Sequence, residues 1–277
     1  MAGTPFIKMH GLGNDFVVFD ARAHALALDD VSARAIADRH TGVGCDQLLV
    51  MEKPRSAGAD VFMRIRNSDG DEVEACGNGT RCIAAVMMQE TGKRRVVIET
   101  VAGLLEATDA GVHRVTVDMG PARLDWRQIP LAQECDTLHV PLALGPLSDP
   151  VATNMGNPHA TFFVADAEKV DLRELGPRLE HDPMFPQRAN IGVVSLAGEN
   201  RLRFRVWERG AGITVACGTG ACAAAVAAAR RGLTERKVTV IADGGPLEIE
   251  WRADGHVLMT GPAAVSFSGT LDPSLLG

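Results

Sequence analysis

The sequence predicts a strand-rich α+β protein composed of two halves of like fold. Three observations carry the prediction. Short runs of clustered or alternating apolar residues, bounded by Gly, Asp and Pro, outnumber the helix-like stretches. An A-C-G-x-G element occurs twice, as Ala75-Cys76-Gly77-Asn78-Gly79 and as Ala216-Cys217-Gly218-Thr219-Gly220. The 277 residues suffice for two domains, and 46% hydrophobic with 23% charged residues is a globular composition, against disorder or a fibrous repeat.

Along the first half, Phe16 to Asp20, Gln47 to Glu52, Val61 to Ile65, Arg95 to Thr100 and His113 to Met119 read as strands, with Lys8 in a further one. In the second half Ala160 to Ala165, Ile191 to Ala197, Arg201 to Trp207, Lys237 to Ile241, Leu247 to Trp251 and His256 to Thr260 do the same. Helical patterns cover Asp30 to His40, Thr80 to Glu90, Asp171 to His181 and Gly220 to Arg231. The last two close on His or Arg, the charge that a helix C-terminus favours. Gly120 to Pro150, rich in Pro and Leu, reads as the connection.

The cysteine elements lie 141 residues apart, and at that offset Arg64-Ile65 stands against Arg205-Val206 and Asn67 against Glu208. Upstream, Gly13-Asn14 matches Gly156-Asn157 and Gln47 matches Asn190, both at an offset of 143. Landmarks in one order at nearly one spacing indicate an internal duplication.

Each Cys-Gly-x-Gly precedes a helical run, which places a thiol and unpaired backbone N–H groups at a helix N-terminus. The helix dipole there favours a thiolate, and the N–H groups can hold a carboxylate. Glycines flanking Asn78 and Thr219 clear space for a ligand. An isolated cytosolic cysteine is ordinarily a small buried hydrophobe, as expected for Cys82 and Cys222 within the helices, but two in matched frames argue for chemistry. Two thiols approaching one ligand from opposite sides suit racemisation or epimerisation, in which one group removes a proton and the other returns one. The paired helix N-termini would stabilise charge developing on an adjacent carboxylate, and closure of the halves would exclude water.

Composition narrows the partners. A net charge of −7 with no basic stripe argues against nucleic acid, and the longest apolar stretch, Ala221 to Ala229, is too short to cross a bilayer. The start lacks the pattern of a signal peptide, and Cys45, Cys76, Cys82, Cys135, Cys217 and Cys222 form no C-x-x-C pair, so no metal site is expected and a reducing cytoplasm fits. Lysine occurs only as Lys8, Lys53, Lys93, Lys169 and Lys237, none in an obvious Schiff-base setting. Gly11-Leu12-Gly13-Asn14-Asp15-Phe16 lacks the last glycine of a dinucleotide fingerprint, and Gly92-Lys93-Arg94 is no P-loop. A mechanism without cofactor is therefore expected.

Six segments in order resemble the diaminopimelate epimerase family: Phe6 to Phe16, Cys76 to Cys82, Met155-Gly156-Asn157-Pro158-His159, Trp207 to Gly212, Ala216 to Ala221 and Met259 to Ala263. The resemblance spans nearly the whole chain. It implies cofactor-independent interconversion of LL- and meso-2,6-diaminopimelate, on the route to lysine and peptidoglycan, by a cytoplasmic homodimer. It implies two pseudo-symmetric domains, each a curved, mainly antiparallel sheet or barrel around a central helix. These would be residues 1–119, with 264–277 packed against them, and residues 120–263. Cys76 and Cys217 fall on the catalytic pair, with Cys217 as acceptor and Cys76 as donor in the LL-to-meso direction. His159 and Glu208 fall on positions that tune a catalytic thiol. Gly77, Asn78, Gly218 and Thr219 match the positions that hold the reacting carboxylate. Asn14, Gln47, Asn67, Asn157, Asn190, Glu208 and Arg209 match positions that line the site. Departures are Trp207, where tyrosine is frequent, and Ile213, where an acidic residue often stands.

The residues themselves agree with that distribution. A substrate with an ammonium and a carboxylate at each end needs an acid for one charge and an arginine fork for the other, which Glu208-Arg209 can supply. Neutral amides can fix the stereochemistry of that end. Read alone, Glu208-Arg209 is equally a solvated strand-end ion pair, Asn14 or Asn190 a turn residue, and His159 a satisfied core residue that otherwise titrates near neutrality. Rival functions are a proline or hydroxyproline racemase, which has no use for a distal charged pair, and a cysteine hydrolase, which leaves one matched thiol idle. A scaffold that binds without turnover is disfavoured by the intact thiols, and oxidation of the thiol pair is a liability of such a site.

Overall fold

A computed structural model describes residues 3–74 and 76–276, and the chain divides into two compact units, Met1–Val117 with Gly261–Gly277, and Asp118–Thr260. The first unit runs β1 (Thr4–Gly11), β2 (Asn14–Asp20), α1 (Asp30–Ala37), β3 (Gln47–Glu52), β4 (Val61–Asn67), β5 (Glu72–Val73), α2 (Gly77–Thr91), β6 (Arg95–Thr100), β7 (Gly103–Asp109) and β8 (Arg114–Pro121). The second contains a hairpin of β9 (Ala143–Leu144) and β10 (Leu147–Ser148), then β11 (Val151–Asn154), β12 (Pro158–Phe163), α3 (Leu172–Glu180), β13 (Asn190–Leu196) and β14 (Arg201–Glu208). It continues through β15 (Gly212–Ile213), α4 (Gly218–Arg230), β16 (Lys237–Ala242), β17 (Gly245–Trp251) and β18 (His256–Pro262). Finally β19 (Ala264–Leu271) returns to the first unit and pairs antiparallel with β1, with a bulge between Lys8 and Met9.

The two units share one pairing scheme. In the first, β1 and β2 are antiparallel, β2 and β3 parallel, and β3 and β4 antiparallel. There β4 takes the short β5 antiparallel and β6 parallel, and β6, β7 and β8 form a meander. The series β11 to β18 repeats these relations in the same order. In each unit the cysteine-capped helix lies across many strands: α2 on β1, β2, β6 and β7, and α4 on β11 to β14, β16 and β17. Helix α4 is buried on nearly every side, which its alanines allow because small side chains let strands approach from all directions.

Several boundaries differ from those the sequence suggests. Helices α2 and α4 begin at Gly77 and Gly218, about a turn before the expected Thr80 and slightly before Gly220, because each cysteine caps its own helix. Helix α1 stops at Ala37, three residues before His40, where Asp38 takes extended backbone. The stretch expected as a connection supplies Ile129, Leu131, Val140, Leu142 and Leu147 to the core of the second unit.

Candidate active site

Cys76 caps α2 from extended backbone, and its sulfur accepts from the Gly79 amide at 3.4 Å. Cys217 caps α4 in the same way, accepting from the Gly220 amide, also at 3.4 Å. A thiol at this position points over the exposed first-turn N–H groups, so both sulfurs stand at the positive end of a helix. The flanking glycines serve this packing. A Cβ on Gly220 would lie 2.8 Å from Phe204 Cζ and 3.1 Å from Cys217 Sγ, and one on Gly79 would lie 3.1 Å from Leu49 Cδ2. Gly79 and Gly220 therefore clear room for the neighbouring strand and the thiol.

Around Cys76 the structure brings Asn14 and Asn78 together. Asn14 Oδ1 accepts from the Cys76 thiol at 3.9 Å and from Asn78 Nδ2 at 3.2 Å. Asn78, 3% exposed, accepts in turn from Arg81, a fully buried guanidinium that also donates to the Pro262 carbonyl at 3.1 Å. On the opposite register pair of β3 and β4, Gln47 Nε2 donates to Asn67 Oδ1 at 2.9 Å. Gln47 Oε1 is buried with no hydrogen-bond partner, an acceptor open to a ligand's N–H group. Lys8 is committed elsewhere, 8% exposed and bonded to Asp15 at 2.5 Å and to the Gly44 carbonyl, so it is no free amine for a Schiff base. Among the described residues, no cluster of three or more His, Cys, Asp or Glu side chains forms a metal-holding group.

Cys217, 4% exposed, contacts Thr219 Oγ1 at 3.6 Å and lies beside the Glu208 carboxylate, whose charge acts on it. Burial pushes the Cys217 thiol well above its ordinary value, and the neighbouring Glu208 charge pushes it further. Burial outweighs the helix N-terminus here, so the resting thiol is protonated, contrary to the thiolate expected from the helix dipole alone. Glu208 is itself raised by burial, against the lowering effect of the Thr214 hydroxyl that donates to it and of the neighbouring Cys217 thiol.

His159 and Asn190 are parallel register partners at the start of β12 and β13. His159 Nε2 lies 2.8 Å from Asn157 Oδ1, so Nε2 carries the proton. Burial, with Arg209 charge behind it, lowers His159 to about 3, and the ring is neutral at physiological pH. The expected titration near neutrality is therefore corrected: desolvation has removed it. Asn190, 2% exposed, donates to the Pro158 carbonyl at 3.2 Å and accepts from the Arg209 backbone amide at 2.9 Å. Its amide thus fixes the turn that carries Arg209. The Arg209 side chain is exposed and donates to the Gln187 carbonyl at 2.9 Å.

Comparison with known proteins adds a family. The family model described as diaminopimelate epimerase matches residues 6–124 and 151–266. A diaminopimelate epimerase of Rhodospirillum centenum is 60% identical over 271 residues, covering 98% of this chain and 93% of that protein. Another, of Acidiphilium cryptum, is 57% identical over 275 residues and covers 99% of both chains. Among solved structures, a predicted epimerase from Pseudomonas aeruginosa superimposes with a TM-score of 0.69 at 19% identity, covering 97% of this chain and 99% of that one. A hydroxyproline epimerase from Agrobacterium vitis reaches 0.68 at 14% identity, covering 100% of this chain and 94% of that one, a likeness of fold.

Proposed function

The chain belongs to the diaminopimelate epimerase family, and from that premise we propose that it interconverts LL- and meso-2,6-diaminopimelate with Cys76 and Cys217 as the acid–base pair. The supporting observation is the repeated cap: two cysteines, each at a helix N-terminus in the same strand framework, each accepting the amide three residues on. In the LL-to-meso direction Cys217, as thiolate, takes the α-proton, leaving the electron pair on Cα and its carboxylate. Cys76 then gives its proton to the opposite face, and the two thiols have exchanged protonation states. Because the resting Cys217 is protonated, Glu208, whose own proton affinity is raised, is the group that draws off its proton first. His159 acts as a neutral hydrogen-bonding group.

The helix amides behind Gly77, Asn78, Gly218 and Thr219 hold the reacting carboxylate, where negative charge grows. Asn14, Gln47, Asn67, Asn157 and Asn190 line the site, with Arg209 reading charge at the other end, while the Glu208 carboxylate, beside Cys217, serves the reacting end. No cofactor enters the scheme. We assign residues 1–119 with 264–277 to one domain and 120–263 to the other. The same reading makes the protein a cytoplasmic homodimer. No helix among the described residues is long and apolar enough to cross a membrane, and β19 exposes Val265 and Phe267 by 55% and 50%. Partner nucleic acid is not part of this reading.

Proton NMR of LL-diaminopimelate in heavy water with reduced protein and no pyridoxal phosphate tests the proposal. Loss of the α-proton signal with appearance of the meso isomer is expected, and Cys76→Ala and Cys217→Ala should each abolish epimerisation. No exchange from freshly reduced wild-type protein would sink the assignment, and proline would then be tried in the same tube.

A further inference from the structure

Helix α3 ends on Glu180, a carboxylate that is 3% exposed. Its Oε2 accepts from the Trp207 indole N–H at 2.7 Å, its Oε1 from the Gly210 amide at 3.0 Å, and the Arg188 guanidinium stands 3.7 Å from Oε1. A carboxylate is buried at this depth only where donors converge on it. Two of those donors bracket Glu208 and Arg209 in the chain, one immediately before the pair and one immediately after. The fit between helix and indole is close as well. A Cβ on Gly176, one helical turn before Glu180, would stand 2.5 Å from the Trp207 ring. On the other side of the same turn, Asn190 accepts the Arg209 amide.

We propose that Glu180 is a positioning residue for the reaction, pinning the Trp207–Gly210 segment so that Arg209 and Glu208 are presented in one fixed geometry. This rests on the reading of Glu208 and Arg209 as substrate-facing residues. Glu180 touches neither substrate nor reacting thiol and acts only through the turn. A carboxylate is specifically needed, because both of its oxygens face N–H donors. A glutamine of the same size has a single acceptor oxygen, so its NH2 group must oppose either the indole or the Gly210 amide.

The test compares wild type, Glu180→Gln and the double variant Glu180→Gln with Trp207→Phe, by steady-state kinetics with LL-diaminopimelate and by amide hydrogen exchange of the peptide that contains Gly210. The single variant is expected to raise KM roughly tenfold with a smaller change in kcat, since what loosens is the grip on the non-reacting end, and to expose the Gly210 amide to exchange. Adding Trp207→Phe removes the donor that opposes the amide and should bring KM back to within about threefold of wild type. A general loss of packing would be worsened by that second substitution. A wild-type KM in Glu180→Gln, unchanged protection of Gly210, or no rescue in the double variant overturns the proposal. If Glu180→Gln does not fold, Trp207→Phe alone carries the test, with KM raised about threefold expected and a wild-type KM overturning it. Wild-type protein that leaves the α-proton in place defeats the functional reading instead, and the Gly210 exchange measurement then still decides whether the pin exists.

Discussion

The Glu208 carboxylate lies beside the buried Cys217 thiol, and burial raises the proton affinity of both groups. The Glu208 charge raises the thiol's proton affinity further, and a proton leaving the sulfur has a carboxylate acceptor nearby. That relationship replaces the simpler picture of a thiol activated by a helix terminus.

Glu208→Gln removes the negative charge beside the sulfur, so the Cys217 thiol should titrate at lower pH than in the wild type, while burial still keeps it high. Turnover should nonetheless fall by about 100-fold, because the proton acceptor is gone. Alkylation by iodoacetamide as a function of pH, followed peptide by peptide in a mass spectrometer, reads the first effect. A shift of Cys217 to higher pH would show that Glu208 acts by something other than its charge.

His159 makes a signed prediction about stability. Its folded value of about 3 lies below the ordinary 6.5, so the unfolded chain binds the extra proton between these limits. The second unit should be fully stable with respect to this group above about pH 6.5, and lose up to about 1.4 kcal/mol per pH unit as pH falls toward 3. Trp126, Trp207 and Trp251 all lie within Asp118–Thr260, so tryptophan fluorescence in urea reports the unit that holds His159. The slope between pH 6 and pH 4 should flatten in His159→Gln, and an unchanged slope would mean the ring is not held neutral.

Much of this architecture is legible in the sequence, and the exceptions have physical causes. Gln47–Glu52 and Arg95–Thr100 coincide with the expected strands residue for residue, since dense apolar runs end there at clear breaks. At Gly103–Asp109 and Ala264–Leu271 apolar residues such as Leu104, Val265 and Phe267 are exposed, so the apolar pattern does not mark a buried face there. The cysteine frames were legible because repetition marks them. Glu180 was not, because its partners are an indole and a backbone amide some thirty residues away, and neither has a charge pattern to match.

The two cap glycines should respond differently to alanine. At Gly220 the new methyl meets the edge of the Phe204 ring at 2.8 Å and the Cys217 sulfur at 3.1 Å. At Gly79 it meets the two methyls of Leu49 at 3.1 and 3.2 Å, the end of a flexible side chain. Gly220→Ala is expected to cost about 2–3 kcal/mol and Gly79→Ala about 1 kcal/mol or less, in urea unfolding followed by circular dichroism. Equal costs would mean that relaxation around Phe204 is as easy as around Leu49.

Asn14, the partner of Cys76, is held by a charged network rather than by its own turn. Asn14 Nδ2 donates to Asp46 Oδ2 at 3.0 Å, and Asp46 and Asp15 exchange backbone-to-carboxylate bonds at 3.1 and 3.0 Å. Lys8, nearly buried, closes the network through Asp15, and Arg39 bridges both acids from the exposed side. Burial pushes the Asp15 carboxyl up, but the bonds from Arg39 and Lys8 outweigh it and hold the group at about 2. Its stabilisation is therefore present above the ordinary 3.8 and is lost as pH falls toward 2. Lys8→Met removes the buried charge while keeping an apolar stem, leaving Asp15 with Arg39 alone. The expected cost is about 3 kcal/mol, with the acid loss of stability moved to higher pH. Asp15→Asn on top of Lys8→Met should cost less than the sum of the two single changes, because the carboxylate left without its ammonium is then also gone. Tryptophan is absent from the first unit, so far-ultraviolet circular dichroism in urea is the measurement, with KM for diaminopimelate rising in Lys8→Met as Asn14 loosens. Strictly additive costs would show that Lys8 and Asp15 stabilise the unit separately, and that Asn14 keeps its place without them.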